Sequence, residues 1–370
     1  MIIVGLYILI LTLFYFGFHK IKDLNIYHEK TKAKFSILIP FRNEEENLIT
    51  LLISLKNLDY PTSYFEVILI NDFSTDDSKN IIEHYCITNA IKNFRIISNQ
   101  KSNKSPKKTA LLEGVKKSHY PWVITTDADC IIPKNWLHSY NCVISKDKPE
   151  MICGPVSFTH DSNFISKFQI LDMLTLQTTT VSSFGLDKPF LCNGANLAYN
   201  KKVFLNLNAF KGNDHIISGD DTFTLQKFIK NKKKVTYIKS LDAQVLTTAQ
   251  KSISDLINQR LRWVSKSNHY NIYGKITGMI VVVTNFYMVW LILFTFYQGQ
   301  NLKKLVALFI LKFIIDYIYI TLGNSFFKLK ISINDVIISS FVYPFYCVLI
   351  ALMAPFSRFQ WKERTFNTSN

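Results

Sequence analysis

Tyr120-Pro-Trp-Val-Ile-Thr-Thr-Asp-Ala-Asp-Cys130 is a short apolar run that stops abruptly at two carboxylates one residue apart. Its β-branched core, Val123-Ile-Thr-Thr126, is bounded by Pro121 on one side and the acidic pair on the other. This pattern predicts a buried strand with Asp127 and Asp129 at its carboxyl end. In an open parallel sheet that end faces the ligand crevice, so both side chains are expected in a pocket. Two hard oxygen ligands at this spacing suit Mg2+ or Mn2+, which take one or two carboxylates and complete their shell with substrate phosphates. Asp-x-Asp alone marks a solvated turn more often than a site, and the surrounding sequence has to separate the two readings.

From Phe35 to about Phe158, apolar runs of β type alternate with helical patterns. The runs are Phe35-Ser-Ile-Leu-Ile39, Phe65-Glu-Val-Ile-Leu-Ile70, Phe94-Arg-Ile-Ile97, Trp122 to Thr126 and Met151-Ile-Cys153. Between the first two, residues 44–58 place Leu48, Leu51, Leu52 and Leu55 at helical spacing, and Ser74 or Thr75 offers an N-cap for a helix over 76–85. The alternation predicts an α/β domain with a mostly parallel sheet covered by helices on both faces. Neither Gly-x-Gly-x-x-Gly nor Gly-Lys-Ser/Thr occurs, which removes the main support for dinucleotide and NTPase readings.

The remainder of the chain is partly too apolar for a soluble core. Of 370 residues, 48% are hydrophobic, with 29 Phe and 18 Tyr. Residues 1–18 are nearly all apolar and run into His19, Lys20 and Lys22 without a small-residue cleavage site, which predicts a membrane anchor over 1–19. The Lys-rich segment 20–34 predicts a cytoplasmic domain behind it, over 34–270, at the inner face of a cell membrane. Residues 276–296, 305–322 and 333–354 are each long and apolar enough to cross a bilayer, within a C-terminal region 275–356. Four full crossings would put the basic tail, 357–370, on the far side against the positive-inside rule, so one segment is expected to re-enter or lie in the interface, with Pro344 and Pro355 marking the third. Lys312 and Asp316, one turn apart, are expected to neutralise each other inside the second.

The net charge of +16 fits an anionic membrane surface or phosphorylated substrates. Nucleic acid is not expected as a partner, since no zinc-finger spacing or aromatic-basic interleaving is present. The cysteines at 86, 130, 142, 153, 192 and 347 form no Cys-x-x-Cys pair and read as reduced thiols.

In chain order, four blocks form a pattern: Ile39-Pro-Phe-Arg-Asn-Glu-Glu45, Asn71-Asp-Phe-Ser-Thr-Asp-Asp77, Asp127-Ala-Asp129, and Gly219-Asp-Asp221 followed by Gln259-Arg-Leu-Arg-Trp263. With them the chain resembles a membrane-bound, inverting family 2 glycosyltransferase of the GT-A fold, over about Phe35 to Trp263. Such an enzyme moves a sugar from a nucleotide donor to a lipid-linked or glycan acceptor.

Several residues carry roles on physical grounds. Asp72, at the end of the second strand, can accept the imide N–H of a uracil, while Pro40 and Glu44 follow the first strand near base and ribose. A helix N-terminal turn explains Asp72 as well. The leaving diphosphate has to be neutralised, a task for a metal on Asp129 with Asp127 on the metal or the ribose. Helical spacing puts Gln259, Arg262 and Trp263 on one side of a helix with Arg260 further round. Arginines can fork onto the diphosphate, and Trp263 offers a flat face to a sugar or lipid. A basic aromatic belt at the membrane surface is the rival reading.

Other roles are implied only by the resemblance. Asp221 stands at the family's general base, with Asp220 where many members have Glu. A pair of acids stabilising a helix N-terminus is the alternative. Lys107 falls where a basic residue often approaches the nucleotide. Asn193-Gly194-Ala-Asn196 resembles the acceptor-side loop, though a tight turn reads similarly. A processive synthase of the same family, a non-catalytic nucleotide-binding membrane protein and a metal-dependent nucleotidyltransferase are the competing readings. The last would release pyrophosphate and leaves Gln259 to Trp263 unexplained.

Overall fold

The computed structural model describes residues 2–25, 32–101, 104–160, 163–356, 358–361 and 364–367, the last two stretches as backbone only. The described residues form two compact units, one comprising 22–157 and 192–248, the other 1–21, 158–191 and 249–369.

The first unit is the α/β layer. Its strands are β1 (Phe35–Phe41), β2 (Phe65–Asn71), β3 (Phe94–Ser98), β4 (Trp122–Thr125), β5 (Met151–Cys153), β7 (Leu197–Asn200) and β8 (Val235–Tyr237). They make one sheet in the order β3-β2-β1-β4-β7-β5-β8. β6 (Val156–Phe158), at whose last residue the chain leaves this unit, pairs separately with β9 (Val245–Thr247). The helices are α2 (Glu45–Lys56), α3 (Ser78–Thr88), α4 (Pro106–Lys117), α5 (Trp136–Asp147), α7 (Lys201–Asn206) and α8 (Asp220–Lys230). All five runs read as strands from the sequence are strands, and in three of them the apolar residues Ile37, Leu38, Ile39, Val67, Ile68, Leu69, Val123 and Ile124 are all fully buried, as expected of a sheet covered on both faces. The helix expected after β2 starts later than its Ser and Thr suggest, because Ser74 and Thr75 are engaged by Asn71 and Asn43 and Asp77 takes the N-cap position.

β3, β2, β1 and β4 run parallel, so their carboxyl ends share one edge. β7 is the exception to the expected parallel pattern. It runs antiparallel to both β4 and β5, with Thr125 opposite Leu197. The reversal has a consequence for position: the residues that precede β7 arrive at the same edge as the residues that follow β4.

The second unit contains α1 (Ile2–Lys20), α6 (Phe164–Gly185), α9 (Ile253–Val264), α10 (Ile272–Gln298), α11 (Leu302–Phe327), α12 (Ile333–Met353) and a backbone hairpin of β10 (Arg358–Trp361) and β11 (Arg364–Asn367). Four of these helices, α1, α10, α11 and α12, are long and apolar enough to cross a membrane. Pro344 lies inside α12, which continues through it as a helix. α6, unread in the sequence, packs on α1 through glycines. A Cβ on Gly17 would collide with the Ser182 carbonyl oxygen, so the two backbones meet in near contact. Lys312 and Asp316 pair at 2.5 Å as their spacing implies, and Tyr7 of α1 donates to the other Asp316 oxygen at 2.6 Å. Parts of the Lys-rich segment, 26–31, and of the basic tail lie outside the described residues.

Candidate active site

The shared carboxyl edge of β1, β2, β3 and β4 gathers the acidic blocks. Asp72 directly follows β2. Its backbone N–H donates to the Phe41 carbonyl (2.9 Å), and its buried carboxylate accepts from Asn99 Nδ2 at 2.7 Å. Arg42 Nη1 donates to the carbonyls of Asp72 (3.0 Å) and Phe73 (2.6 Å), tying the ends of β1 and β2 together. Pro40 lies in β1 opposite Ile70. Glu44 is buried just ahead of α2, its N–H on Ser78 Oγ (2.9 Å) and its carboxylate accepting from Asn47 (2.8 Å).

Asp127 and Asp129 sit in the turn that ends β4, a turn pinned when Thr126 N donates to the Leu38 carbonyl (3.2 Å) and Ile131 bridges Leu246. Through that bridge β9 delivers Thr247, whose hydroxyl donates to Asp129 Oδ2 at 3.1 Å. Burial, and then the neighbouring carboxylates of Asp127 and Glu44, push the Asp129 carboxyl up to about 6. Such crowding of like charge is relieved by a cation. Lys107 supplies one, its ammonium lying 2.7 Å from Asp127 Oδ1 and 3.4 Å from Asp220 Oδ2. Burial alone would lower the Lys107 ammonium, but Asp127 and then Asp220 outweigh it and hold the group charged well above the usual lysine range.

Asp220 and Asp221 open α8 after Gly219, whose φ of +86° lets the chain turn sharply into the helix. Asp221 is buried and its carboxylate accepts from the N–H of Thr222 (2.6 Å). The loop before β7 completes the cluster. The Gly194 carbonyl accepts from Thr125 Oγ1 at 2.7 Å, and a Cβ on Gly194 would lie 2.9 Å from Asp220 Oδ2 and 3.6 Å from Asp221 Cβ. Asn193 closes its own turn by accepting from Ala195 N (3.0 Å). Asn196 is a fixed post: its fully buried amide accepts from Trp136 Nε1 (2.9 Å) and Tyr140 OH (2.7 Å) and donates to the carbonyls of Pro155 and Ala243, each at 2.7 Å.

Blocks far apart in sequence are therefore neighbours here. Asp127, Asp129, Lys107, Asp220, Asp221, Gly194 and Glu44 form one constellation, with Asp72 joined to it by Asn99, which also donates to the carbonyl of Pro106 beside Lys107 (3.1 Å). Sequence reasoning missed Asn99, Thr247 and Arg42. Only the bridge of Ile131 to Leu246, which brings Thr247 to Asp129, reveals Thr247, whereas Arg42 lies inside one of the four sequence blocks.

Gln259, Arg260, Arg262 and Trp263 belong to the other unit, on α9, where Ser252 caps the helix by accepting from Asp255 N (3.1 Å). One expectation changes there. Arg260 does not point away from Trp263: its guanidinium lies 4.1 Å from the indole ring centre, and Nη2 is 2.6 Å from the buried Asp172 carboxylate of α6. Three residues apart on a helix, Arg260 and Trp263 are adjacent. Asp172 therefore takes the guanidinium that was expected to fork onto a diphosphate.

Among the described residues no group of three or more His, Cys, Asp or Glu side chains closes into a ready metal cage. Asp127 and Asp129 nonetheless fit a Mg2+- or Mn2+-type site, which needs only one or two carboxylates when phosphates supply the rest, and the charge stress on Asp129 matches that donor set.

Residues 36–207 match the family model described as glycosyl transferase family 2, and residues 122–356, well over half of the chain, match that described as glycosyl transferase family group 2. The chain is a member of the family 2 glycosyltransferases, with a GT-A-type fold and, among the described residues, four helices able by length and composition to cross a membrane. It is 29% identical over 119 residues to the Staphylococcus aureus poly(ribitol-phosphate) beta-N-acetylglucosaminyltransferase TarS, covering 32% of this chain and 20% of the relative. It is 25% identical over 182 residues to a Staphylococcus epidermidis poly-beta-1,6-N-acetyl-D-glucosamine synthase, covering 47% and 42%. The chain thus spans less than half the length of either relative. Among solved structures, the mannosyltransferase PcManGT of Pyrobaculum calidifontis, in complex with GDP-Man and Mn2+, superposes with a TM-score of 0.54 at 12% identity over 95% of this chain and 99% of that one, a likeness of fold.

Proposed function

We propose that this protein transfers a sugar, as a hexosyl or N-acetylhexosaminyl group, from a UDP-linked donor to a lipid-linked or glycan acceptor. Transfer inverts the anomeric centre, needs Mn2+ or Mg2+, and takes place in a domain at the cytoplasmic face of the cell's inner membrane. The observation that carries the reading is the convergence of Asp127 and Asp220 on the Lys107 ammonium, with Asp129 and Asp221 beside them.

Asp72, oriented by Asn99, is assigned to the donor's base, where its carboxylate accepts an imide N–H, with Pro40 and Glu44 flanking base and ribose. Asp129 and Asp127 would hold the divalent ion, which supplies Lewis acidity toward the leaving diphosphate. Lys107 adds a fixed positive charge on the same side. Asp221 is assigned as general base: it takes the proton of the attacking hydroxyl as that oxygen bonds to the anomeric carbon and the nucleotide departs from the opposite face. Asn193 and Gly194 leave room for the acceptor, and Gln259, Arg262 and Trp263 are assigned to diphosphate and acceptor, with Arg260 holding their helix through Asp172. Repeated transfer by a processive synthase is the second reading, favoured by the similarity to the poly-beta-1,6-N-acetyl-D-glucosamine synthase. The described residues hold four candidate spans, and product mass separates single transfer from polymerisation.

The test is a screen of nucleotide sugars against purified protein with Mn2+ or Mg2+ and membrane lipid extract, reading free nucleotide and product mass. UDP release that disappears in Asp129→Ala and in Asp221→Asn is the expected result. Undiminished turnover in both variants refutes the assignment, pyrophosphate release points to a nucleotidyltransferase, and UDP binding without turnover to a non-catalytic protein.

A further inference from the structure

The first turn of α4 presents two neighbouring lysines to different partners. Lys107 faces Asp127 and Asp220. Lys108, only 2% exposed, donates to the backbone carbonyls of Asn213 (2.6 Å) and Ile216 (2.9 Å), and its ammonium lies 4.6 Å from the centre of the Phe223 ring. The residues just before it reach the same segment. Ser105 N donates to the Asp214 carbonyl (2.8 Å), Ser105 Oγ to the Ile217 carbonyl (3.1 Å), and Lys104 pairs with the Asp214 carboxylate (2.6 Å).

Every one of these backbone contacts lands on 213–217, the stretch that leads into Gly219-Asp220-Asp221, while Phe223 is two residues beyond Asp221 on α8. That stretch lies between Gly212 (φ +89°) and Gly219 (φ +86°) and belongs to no helix or strand, so no ladder holds its carbonyls. A buried ammonium is a costly way to fill space, and a methionine would fill it without charge. What the ammonium adds is two donors aimed at the loop and a cation against the ring of the helix that carries Asp221.

We propose that Lys108 is a positioning residue for sugar transfer. It clamps 213–217 to α4, so that the helix placing Lys107 against Asp127 also fixes where Asp221 stands. The inference rests on the assignment of Asp221 as general base and deepens it: donor-side charge and acceptor-side base are referred to one rigid element.

The experiment compares the full-length protein, wild type, Lys108→Met, Lys108→Arg and the milder Ser105→Ala, by UDP affinity in the presence of Mn2+, kinetics of nucleotide release, thermal melting and amide hydrogen exchange. Expected for Lys108→Met are UDP affinity and donor KM within about twofold of wild type, kcat lowered roughly tenfold or more, and faster exchange confined to 208–219. Lys108→Arg should recover part of kcat, and Ser105→Ala should show a smaller loss of the same kind. The proposal is overturned if Lys108→Met keeps kcat within about twofold of wild type, or if kcat falls only in proportion to a loss of folded protein or of UDP affinity. If wild type itself releases nucleotide from no donor, the proposed function fails instead. The clamp is then judged by exchange, supported by acceleration confined to 208–219 and refuted by unchanged protection there.

Discussion

The ammonium of Lys107 lies 2.7 Å from Asp127, joining a helix residue to the turn that ends a strand twenty positions later. A second contact, to Asp220, makes that ammonium the charge balancing two acidic blocks at once. Lys107→Met keeps the aliphatic stem and removes the charge. Nucleotide release by this variant is expected to fall about 100-fold or more, the usual cost of losing one preorganised charge at a reacting centre. Steady-state kinetics at saturating Mn2+ checks it, and a loss below about threefold would show that the lysine only fills space.

In the proposed reaction Asp129 would set a pH limit on metal binding. With its carboxyl raised to about 6 in the metal-free protein, a proton competes with the cation below that pH. Mn2+ affinity should therefore be constant above about pH 7 and fall progressively below about 6. Titration calorimetry across this range reads the midpoint directly. The sign for stability is opposite to that of an ordinary paired acid: between the unfolded carboxylate range and about 6 the folded metal-free state holds the extra proton, so its melting temperature should drop as pH rises through that window, and saturating Mn2+ should abolish the drop.

Gly194→Ala tests the closeness of the loop before β7. The added methyl would meet Asp220 Oδ2 at 2.9 Å, and that carboxylate is already held by Lys107. The variant is expected to fold, with a melting temperature within a few degrees of wild type, and to lose roughly tenfold or more in kcat/KM. Unaltered kinetics would place the acceptor elsewhere.

Glu66 carries stability and no proposed catalytic role. On β2 it accepts from Ser36 Oγ (2.6 Å) and His119 N (2.6 Å) and pairs with Arg95 at 3.1 Å. Burial alone would raise its carboxyl, but the His119 amide, the Ser36 hydroxyl and Arg95 together hold it below the usual range. Glu66→Ala should cost about 2–3 kcal/mol, mostly from donors left without an acceptor. Because the folded value is depressed, the contribution is present at neutral pH and fades as pH falls through the ordinary carboxylate range and then the folded value. Melting of wild type and variant should converge in acid, and parallel curves would refute the account.

Much of this protein was legible in its residues because the forces involved are local. Unbroken apolar runs such as Val67-Ile-Leu-Ile70 bury on both faces and give parallel strands, and long uncharged runs such as that in α10 suit lipid. The acidic blocks were legible for a related reason: a carboxylate at the end of a parallel strand has only one edge to occupy. Tertiary structure alone decided what depends on pairing across distance. The reversed β7, only four residues long, brings Gly194 to the strand ends, and a bridge at Ile131 brings Thr247 to Asp129. Arg260 and Asp172 are nearly ninety residues apart, and no periodicity relates them. Two lysines in succession look alike as sequence, yet helix geometry turns one toward carboxylates and the next toward backbone carbonyls, because adjacent residues on a helix point about 100° apart.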